Sequence, residues 1–447
     1  MDEKTTVTPL AGVPGTTGVT SIDGITGPVA LTGTDIAIAD RTPTPSNIQV
    51  SQAVLTPSPA GTYSNSTLTI NSKGHVTAGA SGMALVAPVV PAWYPLGNPY
   101  YLEMANFNPG YNTWRGGFCA GGNLYLSQDF GNYFVRISDD FSTVTALNLA
   151  AVDPIYKRMG FSITDGKFGY IIPANQGGTN CKFLRIDLQA FNTTSMVYND
   201  LYLADTSNQQ LMGGTTDGNY AYLLNTVTNK IVRVNLATFT QGLSAITMLD
   251  LSGPLGGSGG FGYTVSIDTD GTNIYVLWAA SNQNVISVTP IANFTAAATT
   301  TQDISTYGCG GTYQNMQLVG DNIYVQLTDW TGSNITKVVR IPKSNLSQGT
   351  TVNLSAQNAS ITQMIGTCAD AQGRFLYIAP YMGSVLARVD LNDFQTVEWL
   401  DLAPLLTSNY YGEFESYGMV SDGRYAYTFS DYPGGVARFQ LFNGGHY

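Results

Sequence analysis

Hydrophobic and polar residues alternate in short runs over the last 360 residues of the chain, and glycine-containing turns separate these runs. One signature recurs: a small or acidic residue, a glycine, a few further residues, and then a tyrosine inside an alternating run. The tyrosines, spaced by 45 to 53 residues, are Tyr125, Tyr170, Tyr222, Tyr275, Tyr324, Tyr377 and Tyr427. Asp-Gly pairs suit tight turns with positive φ, and strict alternation is typical of strands. The pattern predicts seven hairpins.

Each tyrosine is followed, 11 to 16 residues later, by a second run centred on a polar residue. That residue is arginine in six repeats and Ser287 in the fourth; the arginines are Arg136, Arg185, Arg233, Arg340, Arg388 and Arg438. A Leu-Asp-Leu type of run then closes most repeats. With the strand before the turn, each repeat contains four strands in about 50 residues, the size of a propeller blade. We interpret the arginines as strand residues that contact a neighbouring blade, rather than as a binding ring.

The two ends of the repeat region predict a closed ring. The seventh repeat lacks its last strand, and a matching element, Leu102-Glu-Met104, stands just before the first repeat. Residues near 98–105 are therefore expected to complete the last blade, which removes an open sheet edge. The predicted fold is all-β: a seven-bladed β-propeller over residues 88–447. The count would be six or eight if one blade were irregular.

Residues 1–87 differ sharply in composition from the rest. They contain one aromatic residue, Tyr63, whereas the following 360 residues contain 49. Short Val/Ile/Thr runs favour strands, but a single copy of such a segment buries too little apolar surface to offset its ordering entropy. We expect an extended, β-rich stalk or attachment segment that is ordered by other copies or by a docking partner; the alternative is a disordered tail.

Two stretches of this segment resemble known sequence modules. Gly61 to Gly79 reads GTYSNSTLTINSKGHVTAG, and Gly18 to Thr32 reads GVTSIDGITGPVALT. Both are similar to modules of bacteriophage tail-fibre and head-fibre proteins, with His75 where those modules usually carry arginine. The resemblance implies a virion location, a homotrimer, and attachment to other virion structural proteins of the capsid or tail. It covers about a sixth of the chain and implies nothing about the repeats.

Charge and hydropathy exclude several classes of partner. Only 11% of residues are charged, and the formal net charge is -11. An acidic chain without a basic stripe is poorly suited to bind nucleic acid. No apolar run approaches the roughly 18 residues of a membrane span, and the N-terminus MDEKTTVTPL has no apolar stretch typical of a secretory signal. We therefore expect neither nucleic-acid binding nor membrane insertion.

Residues that carry catalytic or metal chemistry are sparse. The two histidines, His75 and His446, lie at the edges of the repeat region or outside it, and the four cysteines have no metal-binding spacing. The Asp268-Thr-Asp270 start of a calcium-like loop is not continued. Acid pairs such as Glu413 and Glu415 could serve glycoside hydrolysis, but their separation does not follow from sequence. We expect no enzyme activity, metal or cofactor.

Aromatic residues with polar neighbours concentrate in the loops predicted at one end of the propeller. Exposed rings flanked by Asn, Asp and Gly are typical of recognition surfaces. The candidate ligand-binding residues are Trp114, Trp330, Tyr381, Tyr410, Tyr411 and Tyr432. Packing of these rings within the loops or against other virion subunits is the competing interpretation.

The sequence thus favours a non-enzymatic virion structural protein, a fibre or capsid-decoration protein, whose propeller recognises a glycan or protein of the host surface. Two other classes stay open. A particle-mounted polysaccharide-degrading enzyme requires a carboxylate pair in a groove. A cellular lectin-like adhesion module predicts a monomer and leaves the fibre-like N-terminus unexplained.

Overall fold

A computed structural model describes the repeat region strand by strand. The described residues are 100–104, 114–129, 131–151, 159–174, 181–208, 211–225, 227–256, 266–280, 283–307, 313–328, 335–361, 363–405, 416–430 and 434–441, together with short strands between residues 21 and 79. The chain divides into two units, Met1–Trp93 and Tyr94–Tyr447.

Short antiparallel strands occur in the first unit. Their bounds are β1 Ser21–Ile22, β2 Ile25–Thr26, β3 Ala37–Ile38, β4 Val50–Ser51, β5 Gly61–Tyr63, β6 Leu68–Ile70 and β7 Val76–Gly79. β1 pairs with β2, β3 with β4, and β6 with both β5 and β7. The last three strands coincide with the Gly61–Gly79 module. The predicted trimer and attachment role of residues 1–87 fall largely outside the described residues and stay predictions.

Seven four-stranded antiparallel sheets make up the second unit, which confirms the predicted seven-bladed propeller. In each blade the chain runs strand by strand across the sheet. The strands of blades 1 to 3 are β9 Trp114–Ala120, β10 Asn123–Gln128, β11 Tyr133–Ser138 and β12 Val144–Asn148; β13 Met159–Thr164, β14 Phe168–Pro173, β15 Lys182–Asp187 and β16 Val197–Asp200; β17 Leu211–Thr216, β18 Tyr220–Asn225, β19 Lys230–Asn235 and β20 Ile246–Asp250.

The remaining blades follow the same order. Their strands are β21 Ser266–Thr269, β22 Asn273–Ala280, β23 Gln283–Pro290 and β24 Thr300–Asp303; β25 Tyr313–Val319, β26 Asn322–Thr328, β27 Thr336–Pro342 and β28 Thr350–Asn353; β29 Gln363–Ala369, β30 Phe375–Met382, β31 Val385–Asp390 and β32 Val397–Asp401; β33 Ser416–Ser421, β34 Tyr425–Ser430 and β35 Gly435–Gln440.

The last blade takes its fourth strand from the start of the repeat region. Strand β8, Tyr100–Glu103, pairs antiparallel with β35, with Val436 opposite Leu102. The first strands of successive blades also contact one another around a complete circle, from β9 to β33 and back to β9. These first strands are therefore the inner strands around the axis, and the pairing near residues 98–105 closes the ring.

Helical structure in the described residues is limited to single turns and one longer 3-10 segment. The α-helical turn is Leu354–Gln357, and the 3-10 turns are Leu149–Ala151, Thr193–Ser195, Leu201–Leu203, Phe239–Ala245, Ile291–Asn293, Ala296–Ala298, Ser305–Tyr307 and Ala403–Leu405. No helix in the described part of the chain is both long and apolar enough to cross a membrane.

The core lies between the blades. Middle strands are buried on both faces, as in β14, where all residues after Phe168 are buried. Clusters of buried side chains join adjacent blades; one combines Tyr222 and Ile231 of blade 3 with Ile274 and Trp278 of blade 4. Because a four-stranded sheet cannot cover both its faces alone, each blade is stabilised by its two neighbours.

Candidate functional site

The predicted aromatic candidates are only partly within the described residues. Trp114 is fully buried as the first residue of β9, in a core cluster with Met104 and Val135. Tyr381 lies inside β30 and is 7% exposed. The prediction that these two rings are exposed at a loop is wrong, because both stand in strands that are covered by neighbouring elements. Trp330, Tyr410, Tyr411 and Tyr432 lie outside the described residues, and their role stays a prediction.

An axial cavity of about 320 Å³ lies between the inner strands. Glycines lie along its wall, and they permit close approach of adjacent inner strands. A Cβ added to Gly116 would lie 2.5 Å from the Cα of Phe161 in the next blade, and one added to Gly366, whose φ is +89°, would lie 2.9 Å from the carbonyl carbon of Gly418. Bare backbone at these positions keeps the axis narrow.

Several polar side chains near the axis form hydrogen bonds with side chains or with the backbone. Arg115 donates to Asp129 at 2.9 Å, and the buried hydroxyl of Ser127 donates to the carbonyl oxygen of Gly116. Asp268 accepts from the backbone N–H of Leu318 at 3.2 Å, across the boundary between blades 4 and 5. Burial raises the pKa of Asp268 above its ordinary value. The bond between Asp268 and Leu318 joins the inner strands of two adjacent blades.

A second, wider cavity of about 900 Å³ opens at the end of the axis where the first hairpin turns lie; we call it the mouth cavity. It shares wall residues with the axial cavity, among them Thr367 and Gln317. Two carboxyl residues, Asp321 and Asp370, line it. The described residues of its wall include no lysine or arginine. The charged side chains of this wall are therefore acidic.

The hairpin turns around this end share a hydrogen bond between aspartate and tyrosine. In four blades the tyrosine hydroxyl donates to Oδ2 of the aspartate five residues earlier, while Oδ1 accepts backbone N–H groups of the turn. These Asp–Tyr turn pairs are Tyr170 to Asp165 at 2.7 Å, Tyr222 to Asp217 at 2.8 Å, Tyr275 to Asp270 at 2.9 Å and Tyr427 to Asp422 at 3.0 Å. Burial first, and then the bond to aspartate, raise the tyrosine pKa, to about 12 for Tyr275.

Five of the six repeated arginines contact the next blade, as predicted. Each of these five guanidinium groups lies over a phenylalanine ring that follows the third strand of that blade. These Arg–Phe interblade pairs have carbon-to-centroid distances of 4.6 Å for Arg136 and Phe191, 4.9 Å for Arg185 and Phe239, 4.4 Å for Arg233 and Phe294, 4.7 Å for Arg340 and Phe394, and 4.9 Å for Arg438 and Phe141. These five arginines therefore hold blades together. Arg388 differs, since it lies over the ring of Phe375 in its own blade at 4.5 Å and donates to Glu398.

Blade 4 has no arginine in this position, and the residue that replaces it is not the one that the sequence predicts. Strand register places Val288, not Ser287, opposite Tyr275. Ser287 is buried and accepts a hydrogen bond from Nε1 of Trp278 at 2.7 Å. The missing cation is supplied by the next blade, since Nζ of Lys343 lies 3.3 Å from Oδ2 of Asp270 and 5.4 Å from the centre of the Tyr275 ring.

Blade 6 also departs from the repeat, at Asp370 on the wall of the mouth cavity. Its turn is two residues longer than the Asp-Gly turns, since Asp370 and Tyr377 are seven residues apart rather than five. Oδ1 accepts from the N–H groups of Arg374 at 2.7 Å and Phe375 at 2.9 Å. Oδ2 is buried without a hydrogen-bond partner among the described residues. Burial raises the pKa of this carboxyl.

Sequence reasoning missed Asp370 as a site residue. The available signal was the Gln372-Gly373 pair, which stands where blades 2, 3, 4 and 7 have Asp-Gly and moves the aspartate upstream. The side chains of the described residues form no group of three or more His, Cys, Asp or Glu that could hold a metal ion. Cys119, Cys181 and Cys368 are free thiols in the described part of the chain.

Comparisons with known proteins show the fold and no family. No protein-family model matches the chain, and no curated protein matches its sequence. Among solved structures, a hydrazine synthase of Kuenenia stuttgartiensis is 14% identical with a TM-score of 0.53, over 74% of this chain and 96% of that one. A streptogramin B lyase is 12% identical with a TM-score of 0.53, over 77% and 98%. The β-propeller domain of Cps50 (Swd1) from Myceliophteria thermophila is 11% identical with a TM-score of 0.52, over 78% and 99%.

Proposed function

We propose that this chain is a non-enzymatic structural protein of a bacteriophage virion, a fibre or capsid-decoration protein that displays a propeller for host-surface recognition. One observation carries the proposal: a segment with two fibre-like modules directly precedes a complete seven-bladed ring. In this proposal, residues 1–87 form a trimer and attach it to other capsid or tail proteins. The propellers project from the particle.

The propeller supports this role because its repeated charges stabilise the ring. Arginines of the third strands contact neighbouring blades, and aspartates of four first hairpins accept bonds from tyrosines of their own blade. A rigid ring presents loops at both ends without rearrangement, which lowers the entropy cost of binding. The predicted contact residues are the loop aromatics Trp330 and Tyr432.

Host adsorption tests the proposal. Phage carrying Trp330→Ala and Tyr432→Ala should adsorb at least tenfold more slowly than the parent phage while incorporating the same amount of the protein. Tyr198→Ala is the matched control, because this ring is 53% exposed in the outer strand of blade 2. Unchanged adsorption by the double variant would refute recognition through these loops. Absence of the protein from purified particles would refute the virion role, and a monomer in sedimentation would refute the trimer.

A polysaccharide-degrading enzyme is the second candidate, and one observation favours it. Asp321 and Asp370 line the same cavity, and burial raises the pKa of Asp370, as a general acid requires. Such an enzyme would produce a clear halo on a lawn of capsulated host cells. Loss of the halo on Asp370→Asn, with folding retained, would support hydrolysis. Absence of a halo around the folded parent protein would exclude hydrolysis of that host's polysaccharide.

A further inference from the structure

The mouth cavity contains a carboxyl group that the repeat pattern leaves without its usual partner. In blades 2, 3, 4 and 7 the second carboxylate oxygen of the turn aspartate accepts a tyrosine hydroxyl. In these four repeats, a tyrosine hydroxyl of the same blade therefore satisfies the second carboxylate oxygen. Oδ2 of Asp370 has no such partner among the described residues.

The burial of Asp370 makes this exception costly. The residue is 4% exposed, which is rare for an aspartate. Burial raises the pKa of this carboxyl by more than the charge of nearby Arg374 lowers it. A buried carboxylate with an unsatisfied oxygen destabilises the folded state unless a cation or a hydrogen-bond donor compensates it. Retaining such a group is typical of positions where binding, rather than folding, requires the charge.

A second unsatisfied group stands on β29, the inner strand that ends directly before Asp370. Thr367 precedes Asp370 by three residues, is 5% exposed, and lines both cavities. Its hydroxyl oxygen is also buried without a hydrogen-bond partner among the described residues. Blade 6 therefore presents two polar groups to the mouth cavity that the protein itself does not satisfy.

The charge of the cavity indicates what could satisfy them. Asp321 adds a second carboxyl to the wall, and the described wall residues include no basic side chain. Apolar surface is available beside these groups, from Leu318 and Val420 among others. An acidic pocket with an apolar side favours a small organic cation over an anion.

We propose that the mouth cavity binds a small ligand that carries an ammonium group, with Asp370 as its counter-ion and the Thr367 hydroxyl as a further contact. An amino group on a sugar ring meets this requirement: the ammonium supplies three donors, and the ring offers carbon surface to the apolar wall. This inference adds a ligand class to the proposed recognition function and rests on that function only for its biological role. The residues of the site are given by the structure itself.

Three sugars that differ at one substituent test the ammonium requirement on the purified full-length protein. Glucosamine carries the amine, glucose has a hydroxyl in its place, and N-acetylglucosamine has a neutral amide. Calorimetry and NMR titration near pH 6 should show binding of glucosamine at least tenfold tighter than of the other two. Equal binding of all three would overturn the ammonium requirement. Failure of all three to bind, with an ordered water at Oδ2 in a crystal structure, would overturn the site.

Asp370→Asn and Thr367→Val test the residues. The asparagine keeps an oxygen for the two backbone N–H groups of the turn, so the variant should fold, as thermal unfolding would show. It should lose glucosamine binding at least tenfold, with a smaller loss for Thr367→Val. Asp217→Asn is the matched control, because that carboxylate is engaged by Tyr222 in blade 3. Equal binding by Asp370→Asn and the parent protein would refute the assignment.

The outcome can be separated from that of the virion proposal. Sugar binding is measured on the isolated protein, whereas adsorption is measured on particles with altered Trp330 and Tyr432. Glucosamine binding without any adsorption defect would leave the site in place and refute loop recognition. The reverse result would refute the site alone.

Discussion

Arg438 in the last blade lies over the ring of Phe141 in the first, with 4.9 Å between the guanidinium carbon and the ring centre. This contact joins the two ends of the repeat region with the same pair that joins interior blades, such as Arg136 and Phe191. Phe141 and Phe191 both have positive φ, at 62° and 38°. Positive φ is strained for a bulky residue. The contacts of the phenylalanine ring therefore compensate the strain of its backbone.

Substitution of Arg438 and Phe141, the pair that joins the last blade to the first, should show that the two residues are energetically coupled. In a double-mutant cycle of Arg438→Ala and Phe141→Ala, we expect a coupling energy of about 0.5–2 kcal/mol, the range of cation–π contacts. Free energies of unfolding from denaturant titration measure it. The cycle on Arg136 and Phe191 is the control and should give a similar value. A coupling energy near zero at the closing pair would contradict the role assigned to Arg438.

The turn pair of blade 4 should make stability depend on alkaline pH. The pKa of Tyr275 is raised from 10.0 to about 12, by burial first and then by its bond to Asp270. The folded state therefore holds this proton more tightly than the unfolded state. The stabilisation is fully present below pH 10 and is lost as pH rises from 10 to 12. Tyr275→Phe should lower the free energy of unfolding by about 1–2 kcal/mol at pH 8.

Tyr198→Phe is the control for this measurement, since Tyr198 is largely exposed. Its curve of unfolding free energy against pH should match that of the parent protein. The deficit of Tyr275→Phe should shrink between pH 10 and 12. A constant deficit over this range would show that the hydroxyl contributes packing rather than a hydrogen bond that depends on its proton.

Blade 4 should accept the arginine that its sequence lacks. Lys343→Ala removes the cation beside Asp270 and should cost about 0.5–1 kcal/mol, as for a partly exposed ion pair. Adding Val288→Arg places a guanidinium opposite Tyr275, in the register that Arg233 has opposite Tyr222. Thermal unfolding should show that this second change restores part of the lost stability. No recovery would show that the neighbouring blade, rather than strand register, decides where the cation is placed.

The close approach of inner strands predicts a sharp difference between two glycines. Gly116→Ala places a methyl group 2.5 Å from a backbone carbon of Phe161, so strands must move apart. We expect a loss of about 1–3 kcal/mol, as for overpacking. Gly253→Ala is the control, because nothing lies within 4 Å of its Cβ position. Equal stability of the two variants in denaturant titration would contradict the tight packing at the axis.

Asp370 should lower stability at neutral pH in the absence of ligand. Its pKa is raised by burial, so the folded state favours the protonated form, and stability decreases as pH rises from the ordinary pKa of 3.8 through the raised value. Asp370→Asn should therefore raise the unfolding temperature by about 2 °C at pH 7, with a smaller gain below pH 4. A lower unfolding temperature at pH 7 would show that the carboxylate stabilises the fold.

Much of the propeller follows from the sequence alone. The glycine-containing turns and the alternation around each tyrosine are local properties, and they recur seven times with a period near 50 residues. The glycines of the four Asp-Gly turns have φ between 80° and 90°, as the turn chemistry requires. The unmatched element Leu102-Glu-Met104 likewise indicated closure, because a missing strand at one end and a spare strand at the other have one simple solution.

Tertiary structure decided the rest, because the site depends on contacts between residues far apart in the chain. A shift of one residue in register exchanges Ser287 for Val288 opposite Tyr275, and no local pattern distinguishes the two. Trp114 and Tyr381 are of a residue type that is typical of binding surfaces, yet neighbouring elements bury both. The unsatisfied oxygen of Asp370 becomes visible only when four other blades show where its equivalent bonds, and when inner strands from several blades enclose the cavity beside it.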